Sequence, residues 1–140
     1  MLVGEQPGDK EDLAGRPFVG SAGRLLDQAL QDAGIARAET FVTNAVKHFK
    51  HEMLGKQRLH KRPDNYEIER CKIWLDFERS LVKPNTIMAL GVTAARSLTG
   101  RSLTIGKVRG KPITMADRHA AARAAPRASR PHRGSKVYRG

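Results

Sequence analysis

The sequence holds a single cysteine, Cys71, in 140 residues, which excludes an internal disulfide framework. A lone thiol fits a reducing compartment, so the expected location is cytoplasmic. No apolar run approaches the roughly 20 residues of a membrane-spanning helix. No basic segment followed by an apolar stretch opens the chain, so no secretory signal is read there. Acidic residues are also scarce, with 14 Asp and Glu against 26 Lys and Arg, a net charge of +12. Six Arg and one Lys of that excess lie in residues 118–140, which contain no acid, and the first 117 residues carry +5. Within these, Lys47, Lys50, Lys56, Arg58, Lys61 and Arg62 share their segment with Glu52 alone. Such a cluster suits a phosphate backbone, and it equally suits a solvated loop.

A chain of this length supports one core. Met1-Leu2-Val3 reads as a short buried strand. Ser21 is placed to cap a helix over 22–33 that buries Leu25, Leu26, Ala29 and Leu30 and closes at Gly34. The β-branched run 41–46 reads as a strand. Residues 47–61 show no periodicity and read as a loop. Pro63-Asp64 opens a helix to about Val82, with Ile68, Cys71, Ile73, Trp74, Leu75 and Leu81 expected inside. Residues 86–90 have the continuous apolar character of a parallel strand buried on both faces. A short helix over 93–98 follows, then a weaker strand pair at 103–105 and 112–115. The alternation of strand and helix predicts an α/β fold: three layers, with a short parallel sheet flanked by helices.

The densest chemistry lies at the start, in Gly4-Glu5-Gln6-Pro7-Gly8-Asp9, Glu11-Asp12 and Gly15-Arg16-Pro17-Phe18-Val19-Gly20. Ligands of α/β folds bind at the carboxyl ends of strands, where this loop sits. Glu5 and Asp9 there can position a water, orient an imidazole or stabilise a developing cation. Phe18 is either a stacking platform for a flat ligand or an anchor of the loop on the core.

These segments together resemble the first motif of the iron–sulfur uracil-DNA glycosylases. Thr43-Asn44-Ala45-Val46-Lys47-His48-Phe49-Lys50 and Lys56-Gln57-Arg58-Leu59-His60-Lys61 are similar to the X-type branch, which captures uracil-containing DNA covalently. The resemblance runs from about Leu2 to Thr114. It implies that Phe18 stacks on a flipped-out uracil, that Asn44 reads its edge, and that backbone donors near Gln6 stabilise the departing base. It also implies that His60 adds to the sugar, with Glu5 holding the reactive tautomer. Lys56, Arg58 and Lys61 would position phosphates and shape the loop. The implied partner is uracil-containing DNA, single-stranded, met by a monomer with no membrane contact.

Two departures accompany the resemblance. The family holds a [4Fe–4S] cluster on four ligands, two of them a Cys pair ahead of the first strand. Here His48 stands for the third ligand and Cys71 for the fourth, without the pair, so no stably bound cluster is expected. The family's later His-Pro-Ser-type motif is not reproduced by His119-Ala120 or Pro131-His132. The sequence thus divides into a glycosylase-like domain over 1–117, incomplete at both ends, and a basic tail over 118–140. That tail is expected to be disordered, and its Ala/Arg/Pro/His composition is that of a GC-rich gene read out of frame. The alternatives are a hydrolytic iron–sulfur uracil-DNA glycosylase, with water in place of His60, and an inactive fragment or basic nucleic-acid binder.

Overall fold

Three short parallel strands, β1 (Leu2–Gly4), β2 (Val42–Asn44) and β5 (Met88–Ala89), form a sheet in the order β2-β1-β5. The computed structural model describes residues 1–115, so the tail expected over 118–140 and the segments His119-Ala120 and Pro131-His132 lie outside the described residues. Side chains alternate faces along a strand, and on the central strand β1 this alternation builds the layers. Leu2 packs on one side against Leu26 and Leu30 of helix α2 (Ser21–Asp32). Val3 packs on the other against Ala45, Leu75, Ala94 and Leu98, drawn partly from helices α3 (Asn65–Val82) and α4 (Val92–Thr99). The expected helix-flanked parallel sheet is therefore present.

Several local expectations are corrected. The cap of α2 is Gly20, without a side-chain bond, and Ser21 is already helical; Leu25 and Ala29 face outward while Gly23, Leu26 and Leu30 face the sheet. On α3 the buried stripe is Ile68, Cys71, Leu75 and Arg79, whose spacing fits one side of a 3.6-residue helix. Ile73, Trp74 and Leu81, expected inside, project from the other side and are exposed. The start of α3 is well specified: the Asp64 side chain accepts from the Glu67 N–H, and the Glu67 side chain accepts from the Asp64 N–H. Strand β5 is shorter than expected and lies at the margin of the described sheet, which leaves Met88 exposed. No strand forms at 103–105 or 112–115. Ile105–Val108 is instead a single helical turn, α5.

The segment read as a loop over 47–61 is mostly an antiparallel hairpin, β3 (His51–Leu54) with β4 (Gln57–His60). Its two-residue turn places Gly55 first, at φ 60°, the position that favours glycine in a type II′ connection. Within the opening loop a short helix α1 (Asp9–Ala14) forms and stops at Gly15 in the left-handed conformation.

Candidate active site

Gly4 and Asn44 end β1 and β2 and are register partners, so both arrive at the carboxyl edge of the sheet side by side. A Cβ placed on Gly4 would lie 2.5 Å from Asn44 Oδ1 and 2.6 Å from Phe18 Cζ. The missing side chain thus makes the space in which the buried Asn44 and the half-buried Phe18 ring approach one another. The Asn44 side-chain amide makes no hydrogen bond among the described residues, which leaves a donor and an acceptor beside an aromatic edge.

Phe18 is held there under constraint. Its φ is 56°, an uncommon conformation for a bulky residue. Gly23 of α2 packs so closely that a Cβ on it would lie 1.9 Å from the Phe18 carbonyl oxygen. Glu11 closes the loop by accepting the Gly20 N–H at 2.6 Å. Phe18 also joins Leu2, Leu26 and Leu30 in their apolar cluster, so it anchors the loop as well as edging the Gly4 space.

The hairpin is fastened over this loop by two devices. The Gln6 side chain, itself buried, donates to the carbonyls of Lys50 and Lys61 at 3.1 and 3.2 Å and accepts from the Lys50 N–H at 3.3 Å. It therefore ties the two feet of the hairpin to the end of β1. The Arg58 guanidinium reaches Asp9 at 2.5 Å and Asp12 at 2.7 Å, and foremost the hydrogen bond it donates to Asp12 raises the Arg58 pKa further. Beneath both lies buried Phe49, stacked on His51 and packed near His60, with Arg58 over its face.

These fastenings bring His60 Nε2 to 3.7 Å from Glu5 Oε1, although the residues are far apart in sequence. The other Glu5 oxygen accepts from the Thr93 hydroxyl at 2.5 Å. The His60 ring is half exposed, open to a solvent-borne reactant on one side and to a carboxylate on the other.

The basic cluster is not the field of free charge that its own segment suggests. Lys47 pairs with Glu78 at 2.7 Å and also donates to Thr43 Oγ1 and the Asn44 carbonyl. Lys50 pairs with Asp64 and Glu67, and those hydrogen bonds raise its pKa while Lys50 lowers both carboxyl pKa values. Lys61 pairs with Glu52 at 3.2 Å. Apart from Glu52, the acids come from α1 for Arg58 and from α3 and its cap Asp64 for Lys47 and Lys50, which composition within one window does not show. Lys56 and Arg62 make no ion pair among the described residues. Lys56 lines an open hollow of about 410 Å³ with Asp9, Leu13, Gln57, Arg58 and Leu59, and none of Gly4, Phe18 or Asn44 borders it.

His48 and Cys71 do meet: His48 Nδ1 lies 3.9 Å from Cys71 Sγ, and the Lys47 N–H points at the sulfur from 3.4 Å. An imidazole and a thiol suit iron chemically. They supply two donors where a cubane takes four, and no group of three or more His, Cys, Asp or Glu able to hold a metal occurs among the described residues. The residues present do not fit a complete cluster. His48 is turned partly elsewhere, with Nε2 3.2 Å from Glu67.

Sequence reasoning singled out Phe18, Asn44, Glu5 and His60, and the fold gathers these at one end of the sheet. It missed the Gln6 side chain as a clamp, Phe49 as the support of the hairpin, and Thr93. The Gly55-Lys56 pair between two four-residue segments was the available signal for the hairpin; nothing local marks Thr93.

Comparison with known proteins identifies the family of the chain. The family model of the uracil DNA glycosylase superfamily matches residues 1–137. A type-4 uracil-DNA glycosylase of Pyrobaculum aerophilum is 40% identical over 115 residues, covering 79% of this chain and 55% of that protein. One from Thermotoga maritima is 38% identical over 114 residues, covering 81% of this chain and 56% of its own length. The chain thus spans about half the length of the curated relatives it matches. By this match and by its fold, the chain belongs to the uracil DNA glycosylase superfamily.

Proposed function

We propose that the protein excises uracil from DNA and that His60 captures the resulting sugar covalently. The single observation that carries this reading is the approach of His60 to Glu5 beside the space shared by Gly4, Phe18 and Asn44. A uracil flipped from the strand enters that space, its ring against Phe18 and its polar edge on the Asn44 amide. Backbone donors of the Gln6 region face the base as it acquires negative charge. The glycosidic bond breaks with its electron pair leaving on uracil, and the sugar passes through an oxocarbenium-like state.

With one ring nitrogen of His60 held toward Glu5, the other keeps its lone pair for the anomeric carbon. The bond that forms leaves an imidazolium. Its remaining N–H proton passes to Glu5 or to water, and the uracil anion takes a proton from solvent. Lys56 and Arg62 contact phosphates, while Arg58 and Lys61 shape the hairpin that carries His60. The substrate is uracil-containing single-stranded DNA, met by a monomer in the cytoplasm. The iron–sulfur cluster implied by the family resemblance would be approached by His48 and Cys71, and no step of this sequence uses it.

The type-4 names of the relatives favour a second reading, hydrolysis, in which Glu5 directs a water to the same carbon. Incubation with a uracil-containing single-stranded oligonucleotide separates the two on a denaturing gel. A retarded, denaturant-stable band that disappears in His60→Ala supports capture. Free uracil released with turnover and no such band supports hydrolysis. Salt-sensitive binding that ignores uracil, with no product, would overturn both.

A further inference from the structure

With His60 and Glu5 in the roles proposed above, on which this inference rests, one buried hydroxyl bonded to Glu5 remains without a task. Thr93 stands in the first turn of α4 and is 2% exposed. Its neighbours Ala94 and Leu98 belong to the apolar core. A hydroxyl buried at such a place requires a partner, and the Thr93 Oγ1–H finds it in Glu5 Oε2 at 2.5 Å, across 88 residues of sequence.

Glu5 needs such a fixture. Its side chain keeps 30% of its surface exposed and ends in a carboxylate that rotates freely unless an oxygen is held. Thr93 takes one oxygen, and the other, Oε1, is the one facing His60 Nε2 at 3.7 Å. That separation is an ion-pair distance, longer than a hydrogen bond, so a modest closure completes the contact. Thr93 lies on a rigid helix whose next residues are core, whereas Glu5 and His60 lie at a strand end and on a hairpin edge. The helix thus fixes one Glu5 oxygen, and with it the direction of the other toward His60.

We propose that Thr93 is a positioning residue: its hydroxyl holds the Glu5 carboxylate with one oxygen turned toward His60. It touches neither the base nor the sugar and acts through Glu5 alone. Thr93→Val keeps the β-branched shape and loses the donor; Thr93→Ser keeps the donor and loses a methyl group.

The test has two arms. In the free protein, NMR of the His60 imidazole is expected to shift in Thr93→Val in the same direction as in Glu5→Gln, and to return toward wild type in Thr93→Ser. His60 resonances unchanged by Thr93→Val overturn the proposal whether or not the protein is active. In the second arm, the single-turnover rate on saturating uracil-containing DNA is expected to fall on the order of tenfold to a hundredfold in Thr93→Val, with DNA affinity unchanged. Thr93→Ser should recover most of that rate, and Thr93→Val should add nothing in a Glu5→Gln background. A Thr93→Val loss that persists undiminished in that background would place its action elsewhere and overturn the proposal. If wild type releases uracil and forms no adduct, the role of His60 fails separately, and the same cycle scored on release decides whether Thr93 works through Glu5.

Discussion

The Gln6 side-chain amide pairs with the backbone of Lys50 as another peptide group would, donating to its carbonyl at 3.1 Å and accepting from its N–H at 3.3 Å. A further bond to the Lys61 carbonyl lets one buried side chain hold both feet of the hairpin that carries His60. Gln6→Leu keeps similar bulk and removes all three bonds. The expected cost is about 1–3 kcal/mol, concentrated in the hairpin, because partly buried backbone groups lose their partner. Amide hydrogen exchange is expected to quicken in β3 and β4 and not in α3; unchanged protection in the hairpin would show that other contacts hold it.

Gly4 has a different task, to leave room. Gly4→Ala directs a methyl group to within 2.6 Å of both Asn44 and Phe18. Uracil excision or capture is expected to fall by about tenfold or more, the equivalent of 1–3 kcal/mol of overpacking, while the fold is retained. Wild-type activity in this variant would mean that the Gly4 space does not receive the base.

Gly23 makes room on the opposite side of Phe18. Gly23→Ala places a Cβ 1.9 Å from the Phe18 carbonyl oxygen, a backbone atom that cannot swing aside as a side chain would. Either α2 or the Phe18 loop must shift, at a cost of about 1–3 kcal/mol. A thermal melt is expected to move down by several degrees. A melt equal to wild type would contradict this packing.

Lys50 lowers the carboxyl pKa values of Asp64 and Glu67 at the start of α3. A carboxylate whose folded pKa is depressed contributes stability above its unfolded value and loses it as pH falls through the folded one. That contribution is therefore complete above the ordinary carboxylate range near pH 4 and declines below it. The Lys50 pKa is raised, so its own share persists at neutral pH and is lost only on the alkaline side of the ordinary lysine range. In an NMR titration Asp64 and Glu67 are expected to titrate lower than free side chains and to move up in Lys50→Met. Values unmoved by that substitution would remove Lys50 as the cause.

How much of this was legible in the sequence depends on how far apart the partners lie. Leu2-Val3 showed its strand because a central parallel strand is apolar on successive residues, and the run around Val42 showed its strand through β-branched residues. The start of α3 was legible at Pro63-Asp64, whereas Glu67, the second half of its capping box, came only from the fold. The hairpin was hidden because β3 and β4 carry charged and polar residues on exposed faces, so neither shows an apolar alternation. The pairing of the basic cluster was hidden because most of its acids lie elsewhere: Asp9 and Asp12 reach Arg58 from α1, and Glu78 reaches Lys47 from α3. Trp74 and Leu81 were assigned to the core because apolar character alone does not say which side of a helix meets the sheet. Glu5 and His60 were named from their motifs, whereas Thr93 needed the fold to bring it to Glu5.

The most direct test of the account is mass spectrometry of the protein after reaction with a uracil-containing oligonucleotide, followed by nuclease and protease digestion. The account predicts a deoxyribose-derived mass on the peptide that contains His60, localised to that residue by fragmentation and absent from His60→Ala. Uracil release without a modified peptide, or modification of another residue, would contradict it.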